Sequence, residues 1–126
     1  MRRVQQIHVG GCGIACVAMA ARVSYKEALR YIRHDRNGCT KTIDVRAALR
    51  RLGIRTHSKR LRLLGRRHYT ELPFSAILKI PHVKGRHWHW VIWDHRRRKL
   101  IDPDRYGMFT YRASSYLGLD DPREKV

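Results

Sequence analysis

Residues 6–19 read QIHVGGCGIACVAM, and this stretch constrains the chain more than any other. Two glycines run into Cys12, and a small-residue apolar run follows it. A helix with so little polar face must be buried on most sides, so the rest of the chain has to fold around it. A cysteine in the first turn of a helix meets unpaired N–H groups and the positive end of the macrodipole. That setting favours thiolate over thiol, and thiolate is the nucleophile. Gly10, Gly11 and Gly13 leave the backbone bare, so a substrate carbonyl can come close. Gln6, six residues before Cys12, offers a side-chain N–H₂ that can help hold an oxyanion beside the Cys12 N–H. Read blandly, Cys12 is a small hydrophobe at a helix start, and local signatures of this kind transfer poorly between proteins. Chemistry needs a base from elsewhere in the chain.

The first half reads as helical. Residues 1–11 are an extended lead-in carrying Gln6, and the first helix spans 12–22. Ser24 and Glu27 form the Ser-x-x-Glu pattern of a capping box. The helix they open is expected over 25–34, with Ala28, Leu29 and Ile32 inward. Asp35–Lys41 is a loop by its turn residues. Thr42 is the expected N-cap of a third helix over 43–52. Ile43, Val45, Ala48, Leu49 and Leu52 recur near helical spacing, and Gly53 stands where a C′ residue belongs.

The second half changes period. Ile54–His57 is a short strand candidate. The basic connector 58–68 has an apolar centre and no clear period. Strands are expected over 74–81, 86–94 and 100–102, with HRRRK at 95–99 as an exposed turn. Tyr106–Tyr111 is a further strand candidate. From Ala113 the chain reads as a tail, with a short apolar piece at Tyr116–Leu119 and a charged end that frays. Helices first and antiparallel strands second make an α+β domain, N-terminal helices packed on a C-terminal sheet. No repeat or linker divides residues 1–126, so one domain is expected.

The base comes from HWHWVIW. Residues two apart in a strand share a face, which puts His87, His89 and Val91 together and the tryptophans opposite. If 87–94 and 99–104 pair across a tight turn at His95–Arg96, His89 faces Asp102 with Cβ atoms about 5 Å apart. A carboxylate so placed holds an imidazole in one tautomer. A turn two residues longer pairs His89 with Asp104 instead. His87 either serves in place of His89 or lines the groove with Gly10 and Gly11. A zinc site from Cys12, Cys16, His87 and His89 is the competing use of these side chains. Those spacings match no familiar zinc motif, and neither metal nor cofactor is expected.

Charge bounds the partners. Lys+Arg 28 against Asp+Glu 10 gives a formal charge of +18. Such a surface attracts polyanions: nucleic acid, an anionic membrane or an acidic protein. No recognised nucleic-acid motif is present, so contact would be non-specific. The three cysteines form no disulfide framework, which fits a reducing compartment. No signal-length apolar run and no stretch of about 20 apolar residues appears. A cytoplasmic protein without a membrane span is the expectation.

Taken together, these blocks resemble a known family. Gln6 six residues before Cys12, the CGIACVAMAA run, the helix ending LRRLG near 49–53, the HWVIW strand from His89 and the IDP of 101–103 look like the papain-like cysteine peptidases of the bacteriocin-processing, double-glycine leader type. The resemblance covers about residues 5–111 in the expected order. It implies a papain-like fold and cleavage of a peptide bond after small residues such as Gly-Gly. It also implies roles: Cys12 as nucleophile, His89 as general base, Asp102 as its orienter and Gln6 as oxyanion-hole donor. Family members often carry Asp just before the nucleophile, where this chain has Gly11. The alternative is a catalytically inactive scaffold of the same type that binds nucleic acid or an acidic protein through its basic surface.

Overall fold

The computed structural model describes residues 1–81, 88–104 and 112–120. It is a small α+β fold in which three helices cover one face of an open antiparallel sheet. Helix α1 (Cys12–Ala21) has all ten residues buried, as an apolar helix without a polar face requires. Arg22 ends it in the left-handed region, at φ 60°.

Helix α2 (Tyr25–Leu29) opens as expected, with the Ser24 hydroxyl accepting the Glu27 N–H at 3.1 Å. It stops well short of residue 34. Its ladder tightens to three-residue bonds, Arg30 N–H to Glu27 O and Tyr31 N–H to Ala28 O, and the chain then leaves the helix.

Helix α3 (Thr42–Arg51) includes Thr42 in its first turn, so Thr42 is not the cap. The Asp44 carboxylate accepts the Lys41 N–H at 3.1 Å and fixes the start there. Gly53, at φ +88°, closes the other end, with the Ile54 N–H reaching back to Leu49 O at 2.8 Å.

The strands are β1 (Arg55–Thr56), β2 (Arg62–Leu63), β3 (Ala76–Pro81), β4 (Trp88–Asp94), β5 (Lys99–Ile101) and β6 (Ser115–Asp120). Their order is β1-β6-β3-β4-β5, and β2 also pairs with β6. The basic connector therefore contributes an edge strand. The expected frayed tail is corrected over 115–120. This segment is β6, paired with β3 on one side and with β1 and β2 on the other. The candidate strand Tyr106–Tyr111 and residues 121–126 lie outside the described residues, as does His87.

Alternation along the strands builds two cores. Ile77, Trp90, Ile92, Ile101, Leu117 and Leu119 pack against the helices. Ala76, Leu78, Ile80, Val91, Trp93 and Tyr116 pack on the other face with Leu64 and Leu72.

Candidate active site

The site forms where β5 leaves β4. The hairpin register is Ile92 opposite Ile101, Trp93 opposite Leu100 and Asp94 opposite Lys99. The turn is thus two residues longer than His95–Arg96 alone allows. It is closed by Arg98 at φ 56°, whose N–H bonds His95 O at 3.3 Å. Continued, that register would set Asp104 across from His89, and Pro103 across from Trp90. Proline has no N–H for a ladder, and β5 ends at Ile101.

The open position beside β4 is filled by the start of α1. The Trp90 N–H donates to Cys12 Sγ at 3.4 Å. Asp102, diagonal to His89, swings in, and its Oδ1 meets His89 Nε2 at 2.6 Å. The contact expected from direct pairing is therefore made on a different register.

Three side chains converge. Cys12 and His89 are almost fully buried; His89 bonds Asp102, and the Cys12 sulfur lies near enough to raise the His89 pKa. Nε2 is engaged by Asp102, which leaves Nδ1 as the other ring nitrogen. Burial is the strongest single influence on His89 and lowers its pKa. Hydrogen bonds to Asp102 and Cys12, and the charges of those two groups, overcome it and raise the value from 6.5 to about 10. The imidazolium is thus held through neutral pH between a carboxylate and a sulfur. Below Cys12 on the same helix, Cys16 is fully buried, and burial pushes its thiol well up, as do the charges of Cys12 and Asp102. It is a core residue.

This coupling has a consequence for stability. A raised folded-state value means the His89 contribution is complete below about pH 6.5 and is lost as the pH climbs through about 10. His89→Gln should therefore lower the melting temperature most near pH 6, and the gap to wild type should narrow toward pH 10. Melting curves of the two proteins across that range check it. A gap independent of pH would mean His89 carries no charge in the fold.

Asp102 is itself held. Asp102 Oδ1 also accepts the Asp104 N–H at 2.8 Å, an Asx-type turn. Arg3 donates from Nε to Asp102 O at 3.0 Å and from Nη2 to Asp104 O at 2.9 Å. The Gln6 N–H bonds Pro103 O at 2.9 Å. The lead-in segment thus clamps the chain at 102–104. Sequence reasoning missed Arg3 and the Trp90 N–H, and named Asp104 only as an alternative partner of His89, whereas it braces Asp102. Arg3 stands in a basic N-terminus with no pattern to single it out, and a backbone donor has no residue signature.

Gln6 is placed otherwise than expected. Its Nε2 donates to His8 O at 3.3 Å and Val9 O at 2.8 Å, so its amide hydrogens are engaged by the loop before Cys12. Its Oε1 is buried and without a partner among the described residues. The donors that remain are those of the helix start, where geometry leaves the first N–H groups of α1 without intrahelical acceptors.

The glycines also serve a different end. A side chain on Gly10 would strike Cys39 Sγ, one on Gly11 the Tyr25 hydroxyl and one on Gly13 the Thr40 hydroxyl. Their bareness admits the protein's own packing, so the open approach expected at Gly10 and Gly11 is already occupied on that side. Tyr25 braces this loop, with its hydroxyl 2.9 Å from His8 Nδ1.

Among the described residues, no group of three or more His, Cys, Asp or Glu side chains is placed to hold a metal ion. No helix among them is long and apolar enough to cross a membrane. Comparison with models of known protein families, with curated proteins and with solved structures found no match to this chain.

Proposed function

We propose that this chain is a papain-like cysteine peptidase, or a closely related thiol acyl hydrolase, acting through Cys12, His89 and Asp102. The observation that carries the reading is the Asp102 Oδ1–His89 Nε2 hydrogen bond beside the Cys12 sulfur, which stands at a helix start and is bonded by the Trp90 N–H next to His89. Cys12 sulfur attacks the substrate carbonyl carbon, forming a C–S bond as the carbonyl becomes an oxyanion. The Cys12 N–H and its helix terminus are the fixed donors to that oxygen. Collapse breaks the C–N bond, and His89 gives its proton to the leaving amine. Neutral His89 then takes a proton from water, the resulting hydroxide attacks the thioester carbon, and breaking of the C–S bond releases the acid and regenerates the thiolate–imidazolium pair. Asp102 keeps the ring in one tautomer and orientation throughout.

Resemblance to the double-glycine leader peptidases suggests cleavage after small residues. Incubation with fluorogenic peptides ending in Gly-Gly before the scissile amide should release the fluorophore, with peptides ending in bulky residues cut far more slowly. Equal inertness toward all such peptides, under conditions where the fold is intact, would favour the second reading. That reading is an inactive scaffold of the same type, and the specific observation behind it is Gln6. Its amide must turn away from the carbonyls of His8 and Val9 before it can meet an oxyanion.

A further inference from the structure

A dense run of positive charge lies away from the site. Between Asp44 and Glu71 the sequence carries no Asp or Glu. Eight Lys or Arg side chains fall between Arg50 and Arg67, seven of them arginine, and all eight are exposed. The fold gathers them. Strands β1 and β2 follow one another along the outer side of β6, and α3 packs against β1. Among the described residues, the one carboxylate paired with these strands in the ladder is Asp120, opposite Arg55. This is the far edge of the sheet from β5, with β6 and β3 between it and the strand that carries His89.

We infer that this edge is a binding surface for the phosphodiester backbone of nucleic acid. Guanidinium groups present paired donors that match phosphate oxygens. Backbone binding draws its free energy from counterion release and needs no apolar anchor. An acidic protein partner would need buried apolar or aromatic anchors at the centre of its interface. The only large apolar side chain strongly exposed among residues 50–67 is Leu63. The chemistry on this edge therefore fits a polyphosphate better than a protein. Because β6 and β3 intervene, a bound nucleic acid leaves the approach to Cys12 open.

The test is fluorescence anisotropy with a labelled DNA duplex of about 20 base pairs in roughly 50 to 200 mM salt. Three proteins are compared: wild type; the triple variant Arg55→Gln, Arg60→Gln, Arg62→Gln; and a control triple, Lys26→Gln, Arg33→Gln, Arg36→Gln, which removes the same charge beside α2. Melting curves establish that all three fold. The edge triple should bind at least about tenfold more weakly at roughly 100 mM salt, with a log–log salt slope shallower by about 2 to 3. The control should stay within about twofold of wild type. Equal weakening in both triples would reduce the effect to net charge and overturn the assignment. So would absence of wild-type binding at that salt. Displacement of the duplex by polyglutamate at matched charge concentration would hand the surface to an acidic protein.

Discussion

Cys12→Ala should cleave none of the Gly-Gly peptides that the wild type cleaves, while folding to the same structure. The substitution removes the sulfur that accepts the Trp90 N–H on β4, next to His89. Removing the nucleophile from a working triad lowers turnover by about 10⁴-fold or more, because the remaining members cannot substitute for it. The structural cost is small by comparison. Alanine keeps the helix start, fills most of the volume and forfeits one N–H to sulfur hydrogen bond, a loss of about 1 kcal/mol. Circular dichroism and a melting curve on the same sample separate the two effects. Turnover that survives in a folded Cys12→Ala protein would remove the sulfur from the mechanism.

Leu117→Ala carries the largest expected effect on stability. Leu117 is fully buried, stands opposite Ile77 in the β3–β6 pair and belongs to the helix-side core. Emptying such a site costs about 2 to 5 kcal/mol, from lost transfer free energy and the cavity left behind. Urea unfolding of wild type and variant measures it directly. A change below about 0.5 kcal/mol, the size expected of an exposed position, would mean that β6 contributes little to the fold.

Why β6 was unreadable from sequence is a matter of range. Its partners lie at 55–63 and 76–79, so the pairing that stabilises SYLGLD is invisible to any local pattern. Gly118 lowers the strand signal further. Its bareness is spent on His57 and Phe74, which press where a Cβ would stand. By contrast, α1 was legible because an apolar run of small residues, too short to cross a membrane, has to be buried by the rest of the chain. The starts of α2 and α3 are local too, although Asp44 does at Lys41 what Thr42 was expected to do.

The site was legible to a similar depth. Cys12 declares itself through its glycines and its helix, and His89 through strand alternation. Asp102 was reached by assuming a tight turn. The turn is longer, and Asp102 still meets His89 because Pro103 ends the ladder and the chain crosses diagonally. Gln6 shows the limit of spacing as a guide. Six residues before a cysteine put its amide near the loop, but nothing in spacing says that the carbonyls of His8 and Val9 take up its donors.

The central claim is that Cys12 and His89 work as a pair, and thiol reactivity tests it most directly. The protein would be treated with iodoacetamide between about pH 5 and 9, and labelled cysteines located by mass spectrometry. Cys16 is fully buried, with its thiol pushed well up by burial, and the Cys39 thiol is raised by burial and by the Asp35 carboxylate. Neither should label fast in mild acid. The account predicts rapid labelling of Cys12 well below pH 8, and its loss in His89→Ala. Slow labelling of Cys12 at the rate of an ordinary thiol, unchanged by His89→Ala, would contradict it.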